Sequence, residues 1–284
     1  MKEKIHTSRT TLWRKFTPFF AYLSIPTVIK PLMITSQAWV YGVDGKWLRR
    51  QGVIIIHRNI TTKEIIYWSY HKSESYGAFD IDLNHLVKAM GTYSPIGAIS
   101  DWKGAIVSAV TTHWEIPHQR CLTHVVREAK RYLPKQSSFT GVQELRVLAT
   151  QLIHISTSTE KRKWIVGLIR WEKQYGFLLK ERTIGIGTKK KWWYTHGNLR
   201  RGWRLLTYDW DPFFVHLNYP LIPHSNNSLE GTISQASQKL SMHRGMKTAQ
   251  QVSFLFWYFS FTRTKTNHDL KKLWAVIKNK ISAV

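Results

Sequence analysis

At 284 residues and 43% hydrophobic, the chain is long enough for one large domain with an insertion, or for two domains, and too apolar to stay disordered. Its 42 Lys and Arg against 17 Asp and Glu give a formal charge of +25, far beyond what solubility needs, which points to a polyanionic partner whose phosphates release counterions on binding. A lone cysteine, Cys121, excludes an intrachain disulfide, the longest aromatic-aliphatic run (252–259) is too short to span a bilayer, and the basic start lacks the apolar stretch of a signal peptide. The expected compartment is the cytoplasm, with no membrane partner.

Residues 1–35 read as a basic arm. Within it, 8–16 has the pattern of a capped amphipathic helix carrying Arg9, Arg14 and Lys15, either the second helix of an incomplete helix-turn-helix or a solvated basic segment. From residue 39 the pattern changes to strands. Runs 39–48, 52–58 and 64–71 are rich in Val, Ile, Tyr and Trp and are separated by turn residues, as in an antiparallel meander. A helix is expected over 79–90, ending at Gly91, then a strand at 96–100, a helix at 104–114 and a short strand at 120–122. Residues 125–222 carry helical spacing at 125–133, 141–155, 160–175 and 198–206 and no strand series, so an all-helical insertion is expected. Helices resume at 228–240 and 249–261, and a basic helix occupies 263–284. The expected division is therefore an arm (1–35), a core interrupted by the insertion (36–124 and 223–262), and a basic C-terminal helix.

Three acids stand out in this basic chain. Asp44 follows Gln-Ala-Trp-Val-Tyr-Gly-Val, the pattern of a central strand, and Asp101 follows Pro-Ile-Gly-Ala-Ile-Ser in the same manner, whereas Glu230 opens a helix. Carboxylates gathered at one site repel one another unless divalent cations supply the opposite charge. Taken singly, Asp44 before Gly45 also suits a hairpin turn, Asp101 a helix N-cap and Glu230 an ordinary first-turn glutamate. Asp80, Asp82, Asp209 and Asp211 fall in polar or turn-rich stretches and are weaker metal ligands. The run Lys-Lys-Lys-Trp-Trp-Tyr at 189–194 interleaves charge with rings able to stack on bases.

Four fragments in order carry a resemblance: Asp-Gly-Lys-Trp-Leu at 44–48, Ser-Asp-Trp-Lys-Gly at 100–104, Cys-Leu-Thr-His at 121–124, and Ser-Asn-Asn-Ser-Leu-Glu-Gly at 225–231. Together, over roughly 36–262, they resemble the Mutator-type DDE transposases of bacterial insertion sequences. The resemblance implies an α/β ribonuclease-H-like mixed sheet flanked by helices, with the helical insertion between the fifth strand and the glutamate helix. It implies catalysis by Asp44, Asp101 and Glu230 with two Mg2+ ions, for which Mn2+ can substitute, held about 3.5–4 Å apart. The expected partners are double-stranded DNA, as element ends and target, and further copies of the chain on that DNA, in a nucleoid-associated bacterial setting. Such families usually carry an N-terminal module that reads the element ends, and the arm here is short for one. The basic residue found seven positions after the glutamate in some DDE enzymes is Ser237 here, so Lys239 or Arg244 is the candidate DNA contact.

Cys121 and His124 have a spacing that invites zinc, but four tetrahedral ligands are needed and only His113 and His118 are near in sequence; structural packing is the expected role, and the resemblance implies the same. His124-Val-Val-Arg127 matches the clamp of tyrosine recombinases, whose largely helical catalytic domain disagrees with the strands before it. A truncated or domesticated transposase that binds DNA without cutting, and a ribonuclease-H-like nuclease that cuts without joining, are the alternatives.

Overall fold

The computed structural model describes Thr11 and residues 38–49, 51–185, 191–242, 245–262, 264 and 266–281. Of the helix expected over 8–16 only Thr11 is described; Arg9, Arg14 and Lys15, like the candidate DNA contact Arg244, lie outside the described residues. The chain is α/β, with a mixed five-stranded sheet flanked by helices. Strands β1 (Val40–Trp47), β2 (Val53–Asn59), β3 (Glu64–His71), β4 (Gly97–Ser100) and β5 (His118–Arg120) lie in the order β3-β2-β1-β4-β5. Strands β2 and β3 pair antiparallel, and β4 pairs parallel with both β1 and β5. The meander read from the sequence is thus present, and β2 is buried along its whole length, as its unbroken Val-Ile-Ile-Ile start requires.

The described residues form two compact units. One comprises Val43–Ser94 and the chain from Ser228 onward. Its core joins Ile54, Ile56 and Trp68 of the meander to Leu229 and Ala236 of α8 (Asn227–Ser241) and to Leu255, Phe256 and Phe259 of α9 (Thr248–Thr262). Helix α1 (Tyr76–Met90) starts three residues before the sequence spacing predicts, because Ser75 caps it by accepting from the Ala78 N–H. It ends where expected, at Gly91, whose φ of 61° suits a residue without a Cβ and whose N–H bonds Val87 O. A final helix, α10, covers Asn267–Ile281.

The other unit comprises Ala38–Gly42 and Pro95–Asn227. It contains α2 (Gly104–His113), α3 (Leu122–Tyr132), α4 (Thr140–Gln151), α5 (Ser158–Tyr175), α6 (Gly197–Thr207) and the short α7 (Val215–Asn218). Helices α3 to α6 share one core built on Leu145, Trp164, Leu168, Trp171 and Leu206. The two tryptophans satisfy their indole N–H groups on backbone carbonyls, Trp164 on Leu148 O at 2.8 Å and Trp171 on Gly141 O at 2.7 Å, so burying them leaves no unpaired donor. Helix α5 starts with a reciprocal capping box between Thr157 and Glu160.

Two expectations need correction. The segment 125–222 is not all-helical: β6 (Arg182–Ile184) and β7 (Trp192–Tyr194) form an antiparallel pair within it, with Arg182 opposite Tyr194 and Ile184 opposite Trp192. Three-residue strands are too short to show a period, and cross-strand ring and guanidinium contacts, not pattern, hold them. Strand β5 also lies two residues earlier than expected, because Cys121 is already the N-cap of α3.

Candidate catalytic acids

Asp44 lies inside β1, not in a turn. The strand runs on to Trp47, so the hairpin reading of Asp-Gly fails, and Asp44 is 9% exposed with its Oδ1 accepting from the Gly45 N–H at 2.8 Å. A Cβ on Gly45 would meet the carboxylate end of the flexible Glu74 side chain and lie close to Val53, so this face of the strand is covered. Side chains alternate along a strand, so Asp44 points to the opposite face, the one on which Leu48, Ile54 and Ile56 meet α8 and α9.

Glu230 lies in the first turn of α8, where the positive end of the helix dipole favours a carboxylate. What orients that helix is Arg58, at the end of β2. Arg58 is 7% exposed, and its guanidinium donates to Ser228 O and Thr232 Oγ1, both at 2.6 Å, and to Lys63 O at 2.6 Å. Lys63, whose carbonyl it takes, holds a left-handed φ of 61°, and Thr62 N bonds Asn59 Oδ1 to close the same turn. Around α8, at about 100° per residue, the apolar stripe of Leu229, Ile233, Ala236 and Leu240 lies between Thr232 on one flank and Glu230 on the other. Pinning Thr232 therefore fixes the rotation at which Glu230 emerges. Burial lowers the Arg58 pKa from its ordinary value, the expense of a cation held on neutral oxygens. Sequence reading missed Arg58, since a single Arg at a strand end carries no signal. Lys239, further along α8, is exposed.

In the other unit, Asp101 follows β4 directly. Lys103 Nζ lies 2.8 Å from its Oδ2, and the Lys103 N–H reaches Oδ1 at 3.3 Å. Between them Trp102 adopts a φ of 69°, a conformation costly for a bulky residue and held by the Trp102 N–H on Ser100 Oγ at 3.2 Å and by its ring against His118 at 4.9 Å. Ser100 Oγ also bonds His118 Nε2 at 2.8 Å. Burial pushes His118 down to about 4, against the opposing charge of Asp101, so the imidazole is neutral at neutral pH. Arg120 is lowered by burial while the carboxylates of Glu128, Asp101 and Asp209 oppose the shift.

The register supplies a numerical link. In the parallel β1–β4 pair, Val40 lies opposite Gly97, Tyr41 opposite Ala98 and Gly42 opposite Ile99, an offset of 57 residues each time. The same 57 residues separate Asp44 from Asp101, and each aspartate stands two residues beyond the last of those pairs.

No family model matches the chain, and no curated protein matches it.

Cys121 is fully buried. Its Sγ accepts from the Asn226 N–H at 3.3 Å, the Leu122 N–H bonds His224 O at 2.9 Å, and Thr123 Oγ1 donates to Asn227 Oδ1 at 2.9 Å. The Cys-x2-His segment therefore anchors the chain that leads into α8, a role distant in sequence that spacing could not reveal.

Asp82 departs most from its sequence reading. Instead of lying in a polar stretch it is 1% exposed on the inner face of α1. His57 Nε2 lies 3.0 Å from its Oδ2, His71 Nε2 lies 3.0 Å from its Oδ1, and Ser69 Oγ donates to Oδ2 at 2.5 Å. Burial alone would raise this carboxyl; the hydrogen bonds from His57, His71 and Ser69 and the charge of His57 outweigh it and hold it at about 2. Burial, then the Asp82 charge, raises neighbouring Tyr67 to about 12. The helical spacing of Phe79, Asp82, Leu83 and Leu86 was the signal that this aspartate faces inward.

Proposed function

We propose that the chain is a DDE-type DNA transposase with a ribonuclease-H-like core, similar to the Mutator-type enzymes of bacterial insertion sequences, in which Asp44, Asp101 and Glu230 act together. The observation that carries this reading is the setting of the three acids in so basic a chain: Asp44 lies buried within β1, Asp101 directly follows β4, and Glu230 lies in the first turn of α8. The β3-β2-β1-β4-β5 order, with a glutamate in the first turn of a later helix, supports the same core.

The donor set fits a hard divalent cation, since all three residues offer carboxylate oxygens, and Asp101 already meets a cation in the Lys103 ammonium. Mg2+ held by Asp44, Asp101 and Glu230 would supply Lewis-acid activation of an attacking hydroxyl and stabilisation of the departing 3′ oxygen. The protein's own part is orientation: the strand fixes Asp44, Arg58 and the apolar stripe fix Glu230, and Ser100 with Trp102 fixes the turn carrying Asp101. DNA affinity comes from the +25 charge, to which exposed Lys239 contributes. Among the described residues no helix is long and apolar enough to cross a membrane.

The test is Asp101→Asn. Magnesium-dependent cleavage and strand transfer of element-end DNA should collapse while gel-shift affinity is kept or rises slightly, because affinity rests on many phosphate contacts and chemistry on three carboxylates. Equal cleavage by parent and variant would refute the assignment. Cleavage without joining would identify a nuclease, and binding by a parent that neither cuts nor joins would identify a non-catalytic DNA-binding relative.

A further inference from the structure

We propose that the β6–β7 ribbon and the groove beside it form a binding platform for unpaired DNA, separate from the acids. The platform would stand even if the acids cut nothing.

The ribbon carries rings in contact with cations. The Arg182 guanidinium lies 4.1 Å from the Trp192 ring centre and 5.7 Å from that of Tyr194, and the Arg200 guanidinium lies 3.9 Å from Tyr194. Trp192 and Tyr194 meet edge to face at 5.3 Å. Arg200 is itself fixed by donating to Leu179 O at 2.9 Å, so this side of the ribbon is ordered before any ligand arrives. Trp193 projects to the opposite side by strand alternation, opposite Thr183, whose hydroxyl pairs with that of Thr195 at 2.9 Å. Even so, Trp192 remains 44% exposed, Trp193 43% and Ile184 75%. Rings of this size are ordinarily covered, and here both sides of a two-stranded ribbon present them.

Charge selects the occupant. Arg200 also lines a cavity of about 610 Å³ together with Lys180, Arg204 and the 67% exposed Phe177, with Glu172 as the acid among its lining residues. Lys191, which directly precedes Trp192, is exposed. Cations spaced among exposed rings match a strand whose phosphates and bases alternate, whereas an acidic protein surface offers charge without planar faces. In duplex DNA the base faces are covered by their neighbours, so rings on both sides of a ribbon can be used fully only by bases out of the stack. Unpaired DNA at a nicked or melted end is the ligand of that description.

Fluorescence anisotropy with a labelled oligothymidylate and a duplex of equal length, at matched ionic strength, tests this on the full chain. The double variant Trp192→Ala/Trp193→Ala should weaken single-strand binding by about tenfold or more, and duplex binding by less than about twofold, since each base–ring stack contributes a factor of that order. Trp193→Phe should retain most of the single-strand affinity and, with an unchanged melting temperature, shows that the loss is of stacking and not of folding. Equal losses on single strand and duplex would overturn the proposal in favour of phosphate contact alone. So would an unchanged single-strand affinity in the double variant, and tighter binding of oligouridylate than of oligothymidylate would overturn the choice of DNA.

Discussion

Asp82→Asn isolates the buried network of α1 and the meander. The asparagine keeps the shape but removes the charge, leaving His57, His71 and Ser69 to share one carbonyl oxygen where they now have two carboxylate oxygens. The magnitude follows from linkage. The folded protein holds this carboxyl at about 2 against an ordinary 3.8, and at about 1.36 kcal/mol per pKa unit the charged form contributes roughly 2.5 kcal/mol of stability. Because the folded value is the lower one, that contribution is complete above the ordinary value and is lost as pH falls from about 4 through 2. Roughly half of it, about 1.3 kcal/mol, should remain at pH 3. Urea unfolding followed by circular dichroism at pH 7, 4 and 3 should therefore show Asp82→Asn less stable by about 2–3 kcal/mol at neutral pH, with the gap to the parent closing as pH falls. General acid destabilisation of so basic a chain affects both proteins and cancels in the difference. A variant as stable as the parent at pH 7, or a gap that does not change with pH, would refute the reasoning.

Two further perturbations probe the segments that hold α8. Arg58→Met leaves Ser228 O, Thr232 Oγ1 and Lys63 O without their donor, so it should cost about 3 kcal/mol, partly offset by removing a buried cation, and should speed amide exchange in the first turns of α8. Arg58→Lys, with a single ammonium in place of the fork, should recover part of the stability but not the full protection; unaltered exchange in α8 would show that Arg58 does not orient that helix. Cys121→Ser should cost about 1–2 kcal/mol through lost packing and the weakened contact with Asn226, while elemental analysis of purified protein shows no change in zinc content. A bound zinc lost in that variant would reverse the structural assignment.

The sequence by itself determined the chain's local order. Alternation and β-branched runs located β1 to β4 to within one or two residues, helical spacing found α1 to α6 and α8 and α9, and the placing of Asp44 and Asp101 after apolar strand patterns marked them as unusual, because local pattern is what burial on a sheet face or helix stripe imposes. The positive charge pointed to a polyanionic partner in the same way, an expectation that rests on composition alone. Only the tertiary structure decided the rest. The 57-residue register of β1 on β4, the grip of Arg58 on residues 170 and 174 positions away, the three donors converging on Asp82, and the stacking of Arg182 and Arg200 on the β7 rings each depend on which distant segments meet. A buried polar group is explained by the partner that satisfies it, and that partner is chosen by the fold, not by the neighbouring sequence.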